Sequence, residues 1–184
     1  MMKLAPLCLG IALIAPFGAQ AQMAVSTFGA TDAQLCYRAA ADDFATDADV
    51  CDNALKGGAM TARDRIATLV NRGIILNRQG RLDEALADFD KALEKNGELA
   101  EAFLNRGNTY YLMRRYDEAI EDYRASLRHD LKQPHVAWYN IGLAQQAKKD
   151  DVKAKEAYRM ALEIDPDFGP ARKKLGLTDT PTDD

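Results

Sequence analysis

The sequence predicts an all-α fold, a row of stacked helix pairs, and two observations carry that expectation. First, the chain repeats itself. VNRGIILNRQGRLDEALADFDKALEKN, starting at Val70, is followed by LNRGNTYYLMRRYDEAIEDYRASLRHD and then by YNIGLAQQAKKDDVKAKEAYRMALEID. Gly73 and Gly107 are 34 residues apart, and Gly107 and Gly142 are 35 apart. Second, the residues that keep register alternate between small and large. Ala85, Ala119 and Ala154 hold one offset, and Phe89, Tyr123 and Tyr158 hold another. Two helices can approach closely where Gly and Ala lack bulk, and large neighbours fill the space beside that contact. Neither helix of a unit can bury its apolar stripe alone, so stacking must build the core.

Taken in chain order, the first element is an address. Lys3 precedes an apolar run, Leu4 to Phe17, and Ala19-Gln20-Ala21 is a small-x-small cleavage site. Residues 1–21 therefore read as a secretory signal peptide, too short for a spanning helix; an uncleaved membrane anchor is the rival reading. Cys8 lies inside it, without the small residue that normally precedes a lipidated cysteine. Export leaves Cys36 and Cys51, an even pair in an oxidising compartment, and a disulfide is the natural reading. Such a bridge stabilises by about 3 kcal/mol in the chain-entropy view; a reactive thiol pair is the alternative. Residues 22–30 are expected to be a disordered linker.

Residues 31–58 read as a degenerate N-terminal helix pair. Thr31 or Asp32 can cap a helix through Leu35, Cys36 and Ala40, and CDNAL from Cys51 echoes FDKAL from Phe89. That echo puts Cys51 at the aromatic position of one helix and Cys36 near the small position of the other. Gly57-Gly58 stops the pair. Thr61 with Asp64 then starts a long helix. Gly80 marks the next turn, and Asp83 and Asp117 suit the first turns of the helices that follow. Asn96-Gly97 and Asp165-Pro166 are helix stops. The extra residue of the second interval falls between Ser126 and Trp138, beside Pro134. Pro170 to Leu175 fits a capping helix, and 178–184 reads as a disordered tail.

A helix–turn–helix period of 34 resembles the tetratricopeptide repeat (TPR). Trp138, Ile141, Gly142, Ala154, Tyr158, Ala161 and Pro166 carry that pattern in 135–168, with Gln145 departing. Phe103, Gly107, Tyr110, Ala119, Tyr123 and Ser126 carry it in 100–133, where Arg106 and Leu131 depart. Leu69, Gly73, Leu76, Ala85, Phe89 and Ala92 carry it in 66–99, where Arg72 and Gly97 depart. The resemblance implies a right-handed α–α superhelix (a TPR solenoid) of about nine helices after the signal peptide, closed by a cap at 169–177.

Composition narrows the function. The 184 residues carry a net charge of −4, with 24 basic against 28 acidic side chains, so a basic face for phosphates is not expected and no nucleic-acid partner is expected. Without Lys3 the charge becomes −5. The apolar share, 47%, suits a globular core and excludes a disordered chain. No Ser-His-Asp order, phosphate loop or zinc spacing occurs. His129 and His135 read as surface residues, and the recurring acid pairs as a solvated face. Trp138, at the repeat's large position, reads as core. The chain is thus expected not to be an enzyme and to need no cofactor or metal; past the signal peptide, no apolar run reaches membrane length.

In the resembled family the concave face is lined by helix A. Here that implies a peptide-binding groove of Val70, Asn71, Ile74, Leu104, Asn105, Asn108, Tyr111, Tyr139, Asn140 and Leu143, with the side chains of Leu104, Tyr111, Tyr139 and Leu143 burying a partner. Asn71, Asn105 and Asn140 recur at one position, where an amide can bond the backbone of an extended peptide. One family subtype clamps a C-terminal carboxylate with cations. Those positions hold Val70, Ile74, Asn105, Val136 and Asn140, so the cationic part is missing. The expected function is a protein–protein interaction module, an adaptor holding a peptide or partner helix in the bacterial periplasm or beyond the cell. A self-associating homodimeric scaffold of an envelope complex is the second reading.

Overall fold

The computed structural model describes residues 23–25, 31–57 and 60–177. The predicted signal peptide, the rest of the linker and the tail lie outside them. Nine helices and no strand occur among the described residues: α1 (Thr31–Ala41), α2 (Asp49–Lys56), α3 (Ala62–Arg78), α4 (Leu82–Lys95), α5 (Ala100–Leu112), α6 (Tyr116–Arg128), α7 (Pro134–Ala147), α8 (Asp151–Ile164) and α9 (Gly169–Lys174). They pack as hairpins, α1 with α2, α3 with α4, α5 with α6 and α7 with α8, and each hairpin leans on the next. The first helices α3, α5 and α7 also touch one another in series, which makes the inner layer of the solenoid.

The spacing of small and aromatic residues explains the hairpins. A Cβ on Gly73 would fall 2.6 Å from the Phe89 ring, and one on Gly107 would fall 2.7 Å from that of Tyr123; Gly142 meets Tyr158 in the same way. Each fully buried ring therefore abuts a bare stretch of helix backbone. The hairpin turns repeat too. The N–H groups of Arg81, Arg115 and Asp150 donate to the carbonyls of Leu76, Tyr110 and Gln145 at 2.8–2.9 Å, closing a Schellman motif at the end of each first helix. The residue that must adopt positive φ there is Gly80 (73°), Arg114 (62°) and Lys149 (65°). Only the first of these carries a sequence signal.

Thr61 caps α3 as expected, accepting from the Asp64 N–H at 3.1 Å. Between the full repeats, the α6–α7 connection (129–133) is one residue longer than the α4–α5 connection (96–99), with Pro134 as the first residue of α7. The N-terminal pair is joined by a disulfide between Cys36 and Cys51, both fully buried. Arg78, at the end of α3, grips this pair: its guanidinium donates to the carbonyls of Ala39, Ala40, Asp42 and Ala45 at 2.6–3.2 Å. Burial of that guanidinium lowers its pKa, opposed by Asp43 and Asp42.

The departures at Arg72 and Arg106 have a shared cause. Arg72 pairs in a fork with Asp88 of its own hairpin (2.6 and 2.7 Å) and reaches Asp52 of the preceding hairpin (2.6 Å). Arg106 does the same with Asp122 (2.7 and 2.9 Å) and Asp90 (2.7 Å). Hydrogen bonding to the aspartates holds both guanidinium pKa values up, while burial pushes the Asp122 carboxyl up against the pull of Arg106. In the third repeat the matching positions are Ile141 and Ala157, both buried and apolar.

Candidate peptide groove

The inner face of α3, α5 and α7 carries the asparagines at equivalent places, and two of them hold main chain. Val25 donates its N–H to Asn71 Oδ1 (2.8 Å), and Asn71 Nδ2 donates to the Val25 carbonyl (2.7 Å). Two residues earlier, Met23 donates its N–H to Asn105 Oδ1 (3.3 Å), and Asn105 Nδ2 donates to the Met23 carbonyl (2.9 Å). The same Asn105 amide also bonds the Glu101 carbonyl at 2.8 Å. Both asparagines are fully buried. Each matches the donor and acceptor of one residue, which is the pair that an extended strand presents to one side at every second position.

Residues 23–25 fall inside the stretch for which no order is expected from composition. Four amide bonds and apolar contact order them: Ala24 and Val25 pack on the core of the first repeats, and Met23 on that of the second and third. Beside this segment lies a cavity of about 620 Å³, with Tyr37, Arg63, Ile66, Glu101 and Lys132 in its walls.

The other predicted groove residues divide by burial. Val70, Ile74 and Leu104 are fully buried and Leu143 nearly so, because successive first helices press these stripes together. With Met23–Val25 in place these side chains belong to apolar clusters: Val70 and Ile74 to the one on which Ala24 and Val25 pack, Leu104 to the one on which Met23 packs, and Leu143 to the one around Tyr158. Tyr139 is buried against Tyr158 and Phe168, with ring centres 5.7 and 5.4 Å away. Tyr111 is half-buried, edge-on to Tyr116. Burial raises the pKa of both, so neither hydroxyl ionises near neutrality. Asn108 Oδ1 accepts from Tyr123 Oη and from Asn140 Nδ2, both at 3.0 Å. Asn140 Oδ1 is buried and has no hydrogen-bond partner among the described residues. Asn77, six residues beyond Asn71 on α3, is also buried, and its amide has no partner among the described residues.

Some residues outside the groove also differ from expectation. Trp138 is half-buried at the wall of a cavity shared with Arg124 and Ile141. His129 stacks on Phe103 at 5.3 Å, and His135 lies edge-on to Phe168. Among the described residues no group of three or more His, Cys, Asp or Glu could hold a metal ion, and no helix is long and apolar enough to cross a membrane.

Register, hairpin geometry and groove define a helical-repeat interaction fold. The tetratricopeptide repeat pattern matches residues 64–128 and again 135–168, and the chain belongs to that family. Among curated proteins it is similar to human protein O-mannosyl-transferase TMTC1 (31% identity over 57% of this chain) and human tetratricopeptide repeat protein 13 (33% over 61%). The matched stretches span only 12% and 13% of those two proteins. Among solved structures it resembles YrrB, described as a TPR protein with an unusual peptide-binding site (25% identity, TM-score 0.58, 71% of this chain and 64% of that one). The first TPR domain of Spaghetti (RPAP3), bound to an HSP90 peptide, shares the fold at 22% identity (TM-score 0.58, 65% and 94%). A tetratricopeptide repeat protein of Parabacteroides merdae does so too (22%, TM-score 0.61, 80% and 59%).

Proposed function

We propose that this chain is an adaptor that holds an extended peptide segment of a partner protein in its concave groove, without catalysis of its own. The carrying observation is the pair of two-way amide bonds from Asn71 and Asn105 to main chain two residues apart. Solved relatives of this fold described as peptide-bound or peptide-binding support the reading. The cationic clamp for a terminal carboxylate is replaced here by buried Val70, Ile74 and Val136, so the recognised feature is the middle of a segment and not its end. The leader at residues 1–21 and the Cys36–Cys51 bridge support export to the cell envelope, with the periplasm as the expected compartment.

The experiment is crosslinking in the native envelope followed by capture, comparing the wild type with Asn71→Ala plus Asn105→Ala. The captured partner should be lost while helicity is kept. Unchanged capture would remove the groove from the function. Cell fractionation with intact-mass analysis tests export: a full-length, cytoplasmic, two-thiol chain is the contrary result.

A further inference from the structure

The main chain that Asn71 and Asn105 hold belongs to this protein. We propose that the segment around Met23–Val25 is a resident ligand of the groove, and that a partner binds by presenting an extended segment in the same register and displacing it; the inference rests on the peptide-adaptor reading above.

Four observations lead there. The two asparagines are fully buried with the segment in place, where each amide bonds both the N–H and the carbonyl of one of its residues; a covering group that left such an amide without partners would cost about 1–3 kcal/mol, so extended main chain suits this place. The bonds are made to the backbone of Met23 and Val25 and to nothing that identifies their side chains, so another extended segment can make the same four. Exchange then conserves hydrogen bonds, and selection falls to the side chains at the two rungs. Met23 and Val25 pack on apolar clusters, so the incoming segment carries uncharged apolar side chains of moderate size at positions i and i+2. Finally, only residues 26–30 separate this segment from α1, which the disulfide joins to α2 and Arg78 ties to α3. A tether that short holds its ligand at an effective concentration on the order of millimolar, against which a free peptide must compete.

The test uses the full chain with its disulfide formed. Met23→Pro with Val25→Pro removes both donated N–H groups and leaves every groove residue unchanged. The probe is a fluorescently labelled synthetic peptide copying residues 22–27, read by anisotropy, with light scattering on both proteins. The expected result is binding at least tenfold tighter to the proline variant than to the wild type, abolished when Asn71→Ala and Asn105→Ala are added. Equal, saturable, asparagine-dependent binding to both proteins would overturn the resident ligand while leaving the peptide groove intact. No binding to the proline variant would overturn it as well, since the segment would then have no affinity of its own. Partner capture by the native chain, as described above, still judges the adaptor reading separately. A wild type that is dimeric and a proline variant that is monomeric would assign the segment to a second copy and overturn the intramolecular form.

Discussion

Single residues set the two distances on which the molecule depends, between the helices of a hairpin and between a rung and its strand. The first is set by Gly73, Gly107 and Gly142, each lying under an aromatic ring. Gly107→Ala gains roughly 0.5–1 kcal/mol of helix propensity but puts a methyl group 2.7 Å from the buried Tyr123 ring, and overpacking costs about 1–3 kcal/mol. The net expectation is a loss of about 1–2 kcal/mol in urea unfolding; an unchanged or raised midpoint would show that the ring moves freely. The displaced ring would also strain the Tyr123–Asn108–Asn140 chain of bonds that backs the groove. These glycines and rings were legible because each contact lies inside one repeat and recurs three times. The rung asparagines were legible as a column only. Their occupant was not, because residues 23–25 carry no periodic pattern and are ordered by contacts 46 and 82 residues away in sequence.

At the scale of elements, the ion triads join hairpin to hairpin. A sequence pattern scores Arg72 and Arg106 as misfits, since a large apolar residue is expected there. The signal that identifies them is covariation inside the chain: Arg72–Asp88 and Arg106–Asp122 are both 16 apart, and both partners change together to Ile141 and Ala157. Removing one member should be costly and replacing both should not be. Asp122→Ala leaves a partly buried Arg106 with Asp90 as its one remaining carboxylate among the described residues, and loss of the charged hydrogen bonds costs about 2 kcal/mol. Arg106→Ile with Asp122→Ala copies the third repeat and should restore most of that loss. A double-mutant cycle in urea measures this, and strictly additive losses would refute the pairing. The turns point the same way. Gly80 was readable, but Arg114 and Lys149 adopt positive φ because the Schellman bonds around them demand it, and no side chain announces that.

The whole molecule is a stack in which each hairpin is stabilised mainly by its neighbours, so damage at one end should stay at that end. The N-terminal pair is the weakest unit by sequence: α2 has only 8 residues, and among its described residues the pair has no Gly-on-ring contact like those of the repeats. The disulfide stands in for that contact, joining a residue near the small position of α1 to the aromatic position of α2, and four carbonyls on the Arg78 guanidinium fix the turn. The pairing could be read from the two cysteines that export leaves, and their place in the hairpin from the echo between CDNAL and FDKAL; the grip of Arg78 could not, because its acceptors are backbone atoms. Cys36→Ala with Cys51→Ala should therefore remove about 3 kcal/mol, expressed locally. Hydrogen exchange is expected to speed up in α1 and α2 and along the face of α3 that covers them, while α7 and α8 keep their protection. Two thermal transitions should replace one. Because α1 anchors the short connection to Met23–Val25, the same variant should also loosen the segment held by Asn71 and Asn105, and exchange at the Met23 and Val25 amides should rise with that of α1. A uniform loss of protection through α8 would show instead that the solenoid unfolds as one unit and that the bridge serves the whole stack.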